Sequence, residues 1–310
     1  MEQRKLGRTG LSVSVLGLGT VELGMKYGLG VETPPPKAEA IALLQHVVEK
    51  GITYFDTARS YGIAEELIGE SGIADKPGVV IGTKCGAFYE KGEDPRGDEL
   101  RQRITDDVNA SLQALRRNTL DLLQVHGPSA EVIERGELLT VLGELKAQGK
   151  VRNIGIATRG EDAPRAAIRS RKVQTIQVGF NILDQRMHDR VIPEASRADV
   201  GIIARSVFLK GVLTPRRQFL PRDLNILRAR ANAIEEYALR HGMELEEAAV
   251  RFVLSVSEVS ALLIGTTKKE HIDAACDRIE RGVLPSPIMN ELSAFRIDDE
   301  KLVDPKQWKL

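Results

Sequence analysis

Four residues of this chain have the side-chain types of a proton-relay site, and they fall at regular places. The apolar run Ile52–Asp56 ends on a carboxylate, Val79–Lys84 on an ammonium and Leu120–His126 on an imidazole, and Tyr61 follows Asp56 after a short loop, beside Gly62. A free tyrosine titrates near ~10, too high for an efficient acid at neutral pH. An ammonium ~4 Å from the phenol, at an effective dielectric of ~20, favours the phenolate by roughly 4 kcal/mol, and desolvation takes back part of that. Asp56 would keep Lys84 charged and fix its position. A neutral His126 would orient the phenol or an oxygen that it protonates. Together the four make an acid suited to a carbonyl oxygen.

Alternation along a strand supports the grouping. Ile52, Tyr54 and Asp56 point one way, Val80, Gly82 and Lys84 form the matching set of the next run, and Leu122, Gln124 and His126 that of the third. The polar group is last each time. Singly, each residue has an ordinary use, as a solvated lysine, a helix cap, a packed tyrosine or a hydrogen-bonded histidine. Three successive runs ending on three different ionisable groups in one register make a constellation.

The elements that must hold it alternate. Apolar runs at Val15–Leu18, Ile52–Asp56, Val79–Lys84, Leu120–Val125, Ile154–Ala157, Thr175–Val178, Ile202–Arg205 and Ala261–Ile264 read as eight strands. Between them lie helical patterns at Lys37–Lys50, Ala64–Ser71, Asp98–Arg116, Val132–Gln148, Ala163–Arg171, Asp189–Ala198, Glu244–Ser255 and Lys269–Gly282. Strict alternation predicts a parallel sheet, and eight unbroken units favour a closed (β/α)8 TIM barrel of the α/β class, with active groups at the C-terminal mouth. Arg4–Leu6 and Leu11–Val13 predict an N-terminal β-hairpin across the barrel bottom. Leu209–Arg240 reads as a loop with an inserted helix, and extra C-terminal helices and loops run from Leu284 to Trp308. No linker divides the chain, so residues 1–310 are expected to form a single domain.

Composition narrows the function. The 310 residues are 42% apolar and 28% charged, with Lys+Arg and Asp+Glu equal at 44 each. Zero net charge removes the broad electrostatic argument for nucleic acid or an anionic membrane, so an anionic ligand must be held locally. Cys85 and Cys276 are too few for a disulfide framework or a zinc cage. No export signal or membrane span is read, so the expectation is a cytoplasmic protein, a monomer or small homo-oligomer, without a metal. Leu16-Gly-Leu-Gly-Thr20 lacks the third glycine of a Rossmann fingerprint, and no helix is expected directly after it.

The chain resembles the aldo-keto reductases. The resemblance rests on Gly51-Ile-Thr-Tyr-Phe-Asp-Thr-Ala with Tyr61-Gly62, Gly82-Thr-Lys84, Leu120-Asp-Leu-Leu-Gln-Val-His126, Gly149-Lys-Val-Arg-Asn-Ile-Gly155 and Ile264-Gly265, in order over nearly the whole chain. It implies that Asp56, Tyr61, Lys84 and His126 are a catalytic tetrad with Tyr61 as general acid, and that NADP(H) lies extended across the barrel mouth. Gly19 and Thr20 would approach the nicotinamide end with Asp56, and Thr158 and Gln177 would hydrogen-bond the carboxamide. Arg205, Ser206, Val207, Leu209 and Gly211 would lie in the loop over the pyrophosphate. Gly265, Thr266, Thr267, Lys268 and His271 would meet the phosphate end, where exposed N–H groups and ammonium groups at a helix start suit an anion. Two departures stand out. Arg205 occupies a place where the family commonly stacks an aromatic, and His271, Ala274 and Ala275 stand where it often has an arginine or glutamine and a Glu-Asn pair.

The expected activity is therefore NADP(H)-dependent reduction of an aldehyde or ketone, sugar-like carbonyls included, to an alcohol, with a small carbonyl compound as the partner. The rivals are an NADPH-binding redox-sensing regulatory subunit with little turnover, and a cofactor-free barrel hydrolase or isomerase. Phe88, Tyr89, Tyr27 and Trp308 are candidate pocket walls.

Overall fold

The computed structural model describes residues 1–30 and 33–308. Eight parallel strands close into a barrel: β1 (Leu16–Gly19), β2 (Tyr54–Asp56), β3 (Val80–Cys85), β4 (Leu120–His126), β5 (Val151–Ala157), β6 (Thr175–Gly179), β7 (Gly201–Arg205) and β8 (Val259–Gly265), with β8 pairing back onto β1. All eight expected strands are present, with bounds shifted by a few residues. A two-stranded antiparallel sheet, Gln3–Lys5 with Ser12–Ser14, forms the predicted hairpin.

Helices cover the outside. Gly97–Ala114 lays Leu100, Ile104 and Val108 against the sheet, as their spacing requires. The segment Val132–Gln148 departs from the predicted single helix after β4. Gly136 adopts a left-handed φ of 79°, which separates Ala130–Glu134 from Glu137–Ala147. The segment expected near Asp189–Ala198 is a helix at Val191–Arg197 preceded by a turn at Arg186–Asp189, and Asn225–Arg240 is the inserted helix after β7. The expectation that no helix follows Thr20 is corrected: Val21–Gly24 forms one helical turn, too short to be read as a period. Helices at Ser286–Ser293 and Glu300–Val303 make the C-terminal extension. Among the described residues no helix is long and apolar enough to cross a membrane.

The core has two compartments. Phe55, Ile81 and Leu123 face the helices, whereas Tyr54, Val80, Leu122, Ile203, Ala261 and Leu263 fill the barrel with Leu6 and Val13 of the hairpin region below. This is the alternation read from the sequence. Tyr54 is the largest filler, and glycines admit it: a Cβ on Gly82 would lie 2.5 Å from its hydroxyl, and one on Gly17 would lie 2.9 Å from its ring. Above this apolar layer the inward positions turn polar.

Candidate active site

Strand register explains how the polar layer assembles. Asp56 pairs with Gly82, and Lys84 with Gln124, so the ammonium stands one inward step above the carboxylate on the neighbouring strand. Its Nζ donates to Asp56 Oδ2 at 2.6 Å and to the Thr57 carbonyl at 3.0 Å, with both charged groups buried. The other carboxylate oxygen is also engaged. Gln177 Nε2, reaching across from β6, donates to Asp56 Oδ1 at 2.6 Å, and Gln124 Nε2 does so at 3.4 Å. Two amides and an ammonium thus compensate a carboxylate that burial would otherwise penalise. The Gln177 amide expected on the cofactor spends its nitrogen on Asp56. Gln124, singled out only as an inward residue, completes the set.

Tyr61 reaches this layer from the loop after β2. Thr57 N–H donates to the Gly82 carbonyl at 2.8 Å and Arg59 N–H to the Lys84 carbonyl at 3.0 Å, so the loop continues along β3 beyond the end of its own strand. Gly62 then turns with a φ of 56°. A Cβ on Gly62 would lie 2.2 Å from the Gly24 carbonyl oxygen, and one on Gly24 would lie 1.9 Å from that of Tyr61. Only glycine permits that contact between the loops after β1 and β2. The Tyr61 ring ends with its centroid 5.0 Å from Lys84 Nζ and 6.0 Å from the His126 ring, which it meets edge-on. The four predicted groups converge on one spot at the C-terminal mouth.

The electrostatics divide their roles. Burial acts to lower the pKa of Lys84, but the Asp56 charge and the Tyr61 hydroxyl outweigh it and the pKa is raised, so the ammonium stays protonated. His126 goes the other way. Burial first, then the Lys84 charge, pull its pKa down to about 3, and Arg205 and Arg159 push in the same direction against Glu90. The imidazole is therefore neutral at physiological pH, and its Nδ1 is buried without a partner among the described residues.

The remaining predicted residues occupy two sectors of the rim. Thr158, Gln177 and Arg205 lie beyond or on β5, β6 and β7. Thr158 Oγ1 is a buried hydroxyl with no partner among the described residues, while its carbonyl accepts from Arg205 Nη2 at 2.9 Å. From Ser206 to Gly211 the chain is contorted, with φ of 62° at Ser206, 44° at Leu209, 56° at Lys210 and 106° at Gly211. Val207 and Leu209 are buried, so only their backbone is offered to the rim. In the other sector Gly19 pairs with Gly265, and both strands end without a side chain at the mouth. Thr20 is committed to the fold, its hydroxyl donating to the Asp56 carbonyl at 3.1 Å. Thr266 Oγ1 lies 2.8 Å from His271 Nδ1 and accepts from Lys268 N–H at 3.1 Å. Thr267 and Lys268 stand at the start of the helix Lys269–Glu280, whose first N–H groups receive no side-chain cap.

This geometry has a counterpart among known proteins. The profile of the Aldo/keto reductase family matches residues 15–297. The chain belongs to the aldo/keto reductase family. It is 26% identical to an L-galactose dehydrogenase of Arabidopsis thaliana, over 95% of this chain and 94% of that one, and 29% identical to a pyridoxal 4-dehydrogenase of Microbacterium luteolum, over 87% and 91%. An uncharacterized oxidoreductase of Bacillus subtilis is 26% identical over 89% and 91%. In fold it is similar to the holo form of an aldo-keto reductase from Bacillus halodurans, with a TM-score of 0.80 at 23% identity over 99% of this chain and all of the other.

Sequence reasoning passed over several groups at the mouth of this aldo/keto reductase. Glu22, buried in the helical turn after β1, sits beside Gly265 and pairs with Arg216 Nη1 at 3.2 Å. Burial raises its pKa and Arg216 opposes that. Arg159 follows Thr158 and pairs with Asp304 of the C-terminal extension at 2.8 Å and Glu90 at 3.5 Å. These pairs join residues far apart in the chain. Of the four candidate wall residues, Phe88 and Tyr89 are buried against each other and Trp308 is buried in the tail, its indole N–H on the Leu302 carbonyl. Tyr27 alone is exposed at the mouth, beneath Lys210 Nζ at 5.3 Å from its ring centroid.

Proposed function

We propose that this aldo/keto reductase is an NADP(H)-dependent enzyme that reduces an aldehyde or ketone to an alcohol. The observation that carries the reading is the position of Lys84, in contact with buried Asp56 on one side and close beneath the Tyr61 ring on the other. Bound at the mouth, a reduced nicotinamide supplies hydride to the carbonyl carbon. Tyr61 donates its phenolic proton to the carbonyl oxygen as charge develops there. Lys84 stabilises the phenolate that remains, because the Asp56 charge holds its ammonium protonated against the pull of burial. His126, neutral at working pH, offers a ring N–H that orients the oxygen toward Tyr61 without competing as an acid.

The rim residues fit such a cofactor. The unpartnered Thr158 hydroxyl is a ready partner for a carboxamide, and Gly19 and Gly265 leave the strand ends open to a flat ligand. The contorted Ser206–Gly211 segment and the uncapped N–H groups near Lys268 suit phosphate groups, and Lys268 with Thr267 favours the extra phosphate of NADPH over NADH. The test is Tyr61→Phe. Binding of NADPH, followed by its fluorescence, should be unchanged, while carbonyl-dependent NADPH oxidation falls ~10²–10⁴-fold. Undiminished turnover in that variant would remove Tyr61 from the acid role.

A further inference from the structure

The mouth holds more positive charge than the tetrad uses. Arg159, Arg205 and Lys210 all face it, and their partners differ in kind. Arg159 is paired with the carboxylates of Asp304 and Glu90. Arg205 has no carboxylate partner among the described residues: Nη1 donates to Ser206 Oγ at 3.1 Å and Nη2 to the Thr158 carbonyl at 2.9 Å. The Lys210 ammonium lies over the face of Tyr27. Asp184 of the same wall faces Gly179 as Arg205 does, but Arg186 takes it in a two-point pair at 2.8 and 3.0 Å. A partly buried guanidinium satisfied only by neutral oxygens keeps an uncompensated charge, and five donors in a fixed fork leave some unused. A small open cleft lies beside it, lined among others by Thr158, Arg159, Asp184, Ser206 and Asp304.

The surroundings of Arg205 say which anion belongs there. The charged and titratable groups that act on it are Arg159, Tyr27, Tyr61 and Asp304, and it acts in turn on His126. Two of these, Tyr61 and His126, belong to the tetrad, at the carbonyl end of the proposed reaction. The groups around His271, namely Lys268, Arg216, Glu270 and Arg278, form a separate set at the other side of the mouth, where a dinucleotide's phosphates have their own N–H groups and ammonium. We propose that Arg205 docks an oxyanion carried by the carbonyl substrate, so that the preferred substrates are aldehydes or ketones bearing a carboxylate a few atoms from the carbonyl. This rests on the reductase reading. Arg159 is held beside the site by its two carboxylates.

A charge-assisted pair at such a place changes binding about tenfold to a hundredfold. The experiment compares 4-carboxybenzaldehyde with benzaldehyde under NADPH. The ratio of kcat/KM should be about 10–100 in the native protein, fall toward about 1 in Arg205→Gln, and survive in part in Arg205→Lys, which keeps the charge. Benzoate and benzyl alcohol, titrated calorimetrically into the NADPH-loaded protein, give a readout free of turnover. Benzoate should bind more tightly than the alcohol, and Arg205→Gln should abolish the difference. If Arg205→Gln weakens NADPH binding and slows both aldehydes by one common factor, the oxyanion is the cofactor's own and the proposal is overturned. Equal kcat/KM for both aldehydes in the native protein, or benzoate that binds no better than benzyl alcohol, overturns it as well. Should neither aldehyde be reduced, the reductase reading is what fails, and the benzoate titration still decides for or against Arg205.

Discussion

The pairing of Lys84 with Asp56 makes stability and catalysis separable by a double-mutant cycle. At 2.6 Å and an effective dielectric of ~20, the attraction between the two charges is about 6 kcal/mol, most of it offset by the desolvation of both groups. Lys84→Met leaves the Asp56 carboxylate buried with only the Gln177 and Gln124 amides, and Asp56→Asn leaves a buried ammonium without its counter-charge. Either alone should cost about 3–5 kcal/mol. The double variant, with no buried charge left, should lose far less than the sum, which means a coupling of at least ~3 kcal/mol in urea unfolding. Turnover behaves differently. With Nζ 5.0 Å from the centre of the Tyr61 ring, loss of the ammonium removes about 3 kcal/mol of phenolate stabilisation at the same dielectric, or roughly a hundredfold in rate. Lys84→Met should be slow, and the double variant should stay slow although its stability returns. Additive single losses, or a double variant that regains turnover, would refute the reasoning.

Other perturbations test other parts of the site. Because the His126 pKa is held at about 3, below its ordinary 6.5, the unfolded chain takes up this proton first on acidification. The contribution to stability is full above pH 6.5 and lost as the pH falls toward 3, so unfolding free energies of His126→Gln should depend less steeply on pH in that window, by up to ~1.4 kcal/mol per pH unit. Gly82→Ala drives a Cβ to 2.5 Å from the Tyr54 hydroxyl and should cost about 1–3 kcal/mol, less in a Tyr54→Phe background, and Tyr54→Phe alone should not destabilise because that hydroxyl is buried without a partner. Lys268→Ala should weaken NADPH about 5- to 50-fold with little effect on NADH, read from the two dissociation constants.

Much of this was legible in the chain because a parallel barrel obeys simple rules. A strand buried on both faces shows as an apolar run, and alternation then sorts its residues between lumen and helix layer, which is why the sequence alone groups Asp56, Lys84 and His126. Glu22 with Arg216, Arg159 with Asp304 and Gln177 with Asp56 were illegible. They are 194, 145 and 121 residues apart, and no local pattern registers a contact made across a lumen or between loops. Short elements escaped for a related reason. The turn Val21–Gly24 holds too few residues to express a period, and the break at Gly136 depends on one backbone angle. The aromatic candidates misled because a large ring after a strand serves a core as well as a pocket, and Phe88 and Tyr89 serve the core.

The close approach of Gly24 to Tyr61 and Gly62 bears on how such a protein can change over generations. The phenol is aimed by main chain pressed against main chain, and neither loop needs a particular side chain at its tip to keep that aim. Met25, Tyr27 and Ile63, exposed next to this clamp, are thus free to be exchanged while the acid stays where it is. A lineage starting from this scaffold can acquire new preferences by editing those tips, and the two glycines are where it has no freedom to drift.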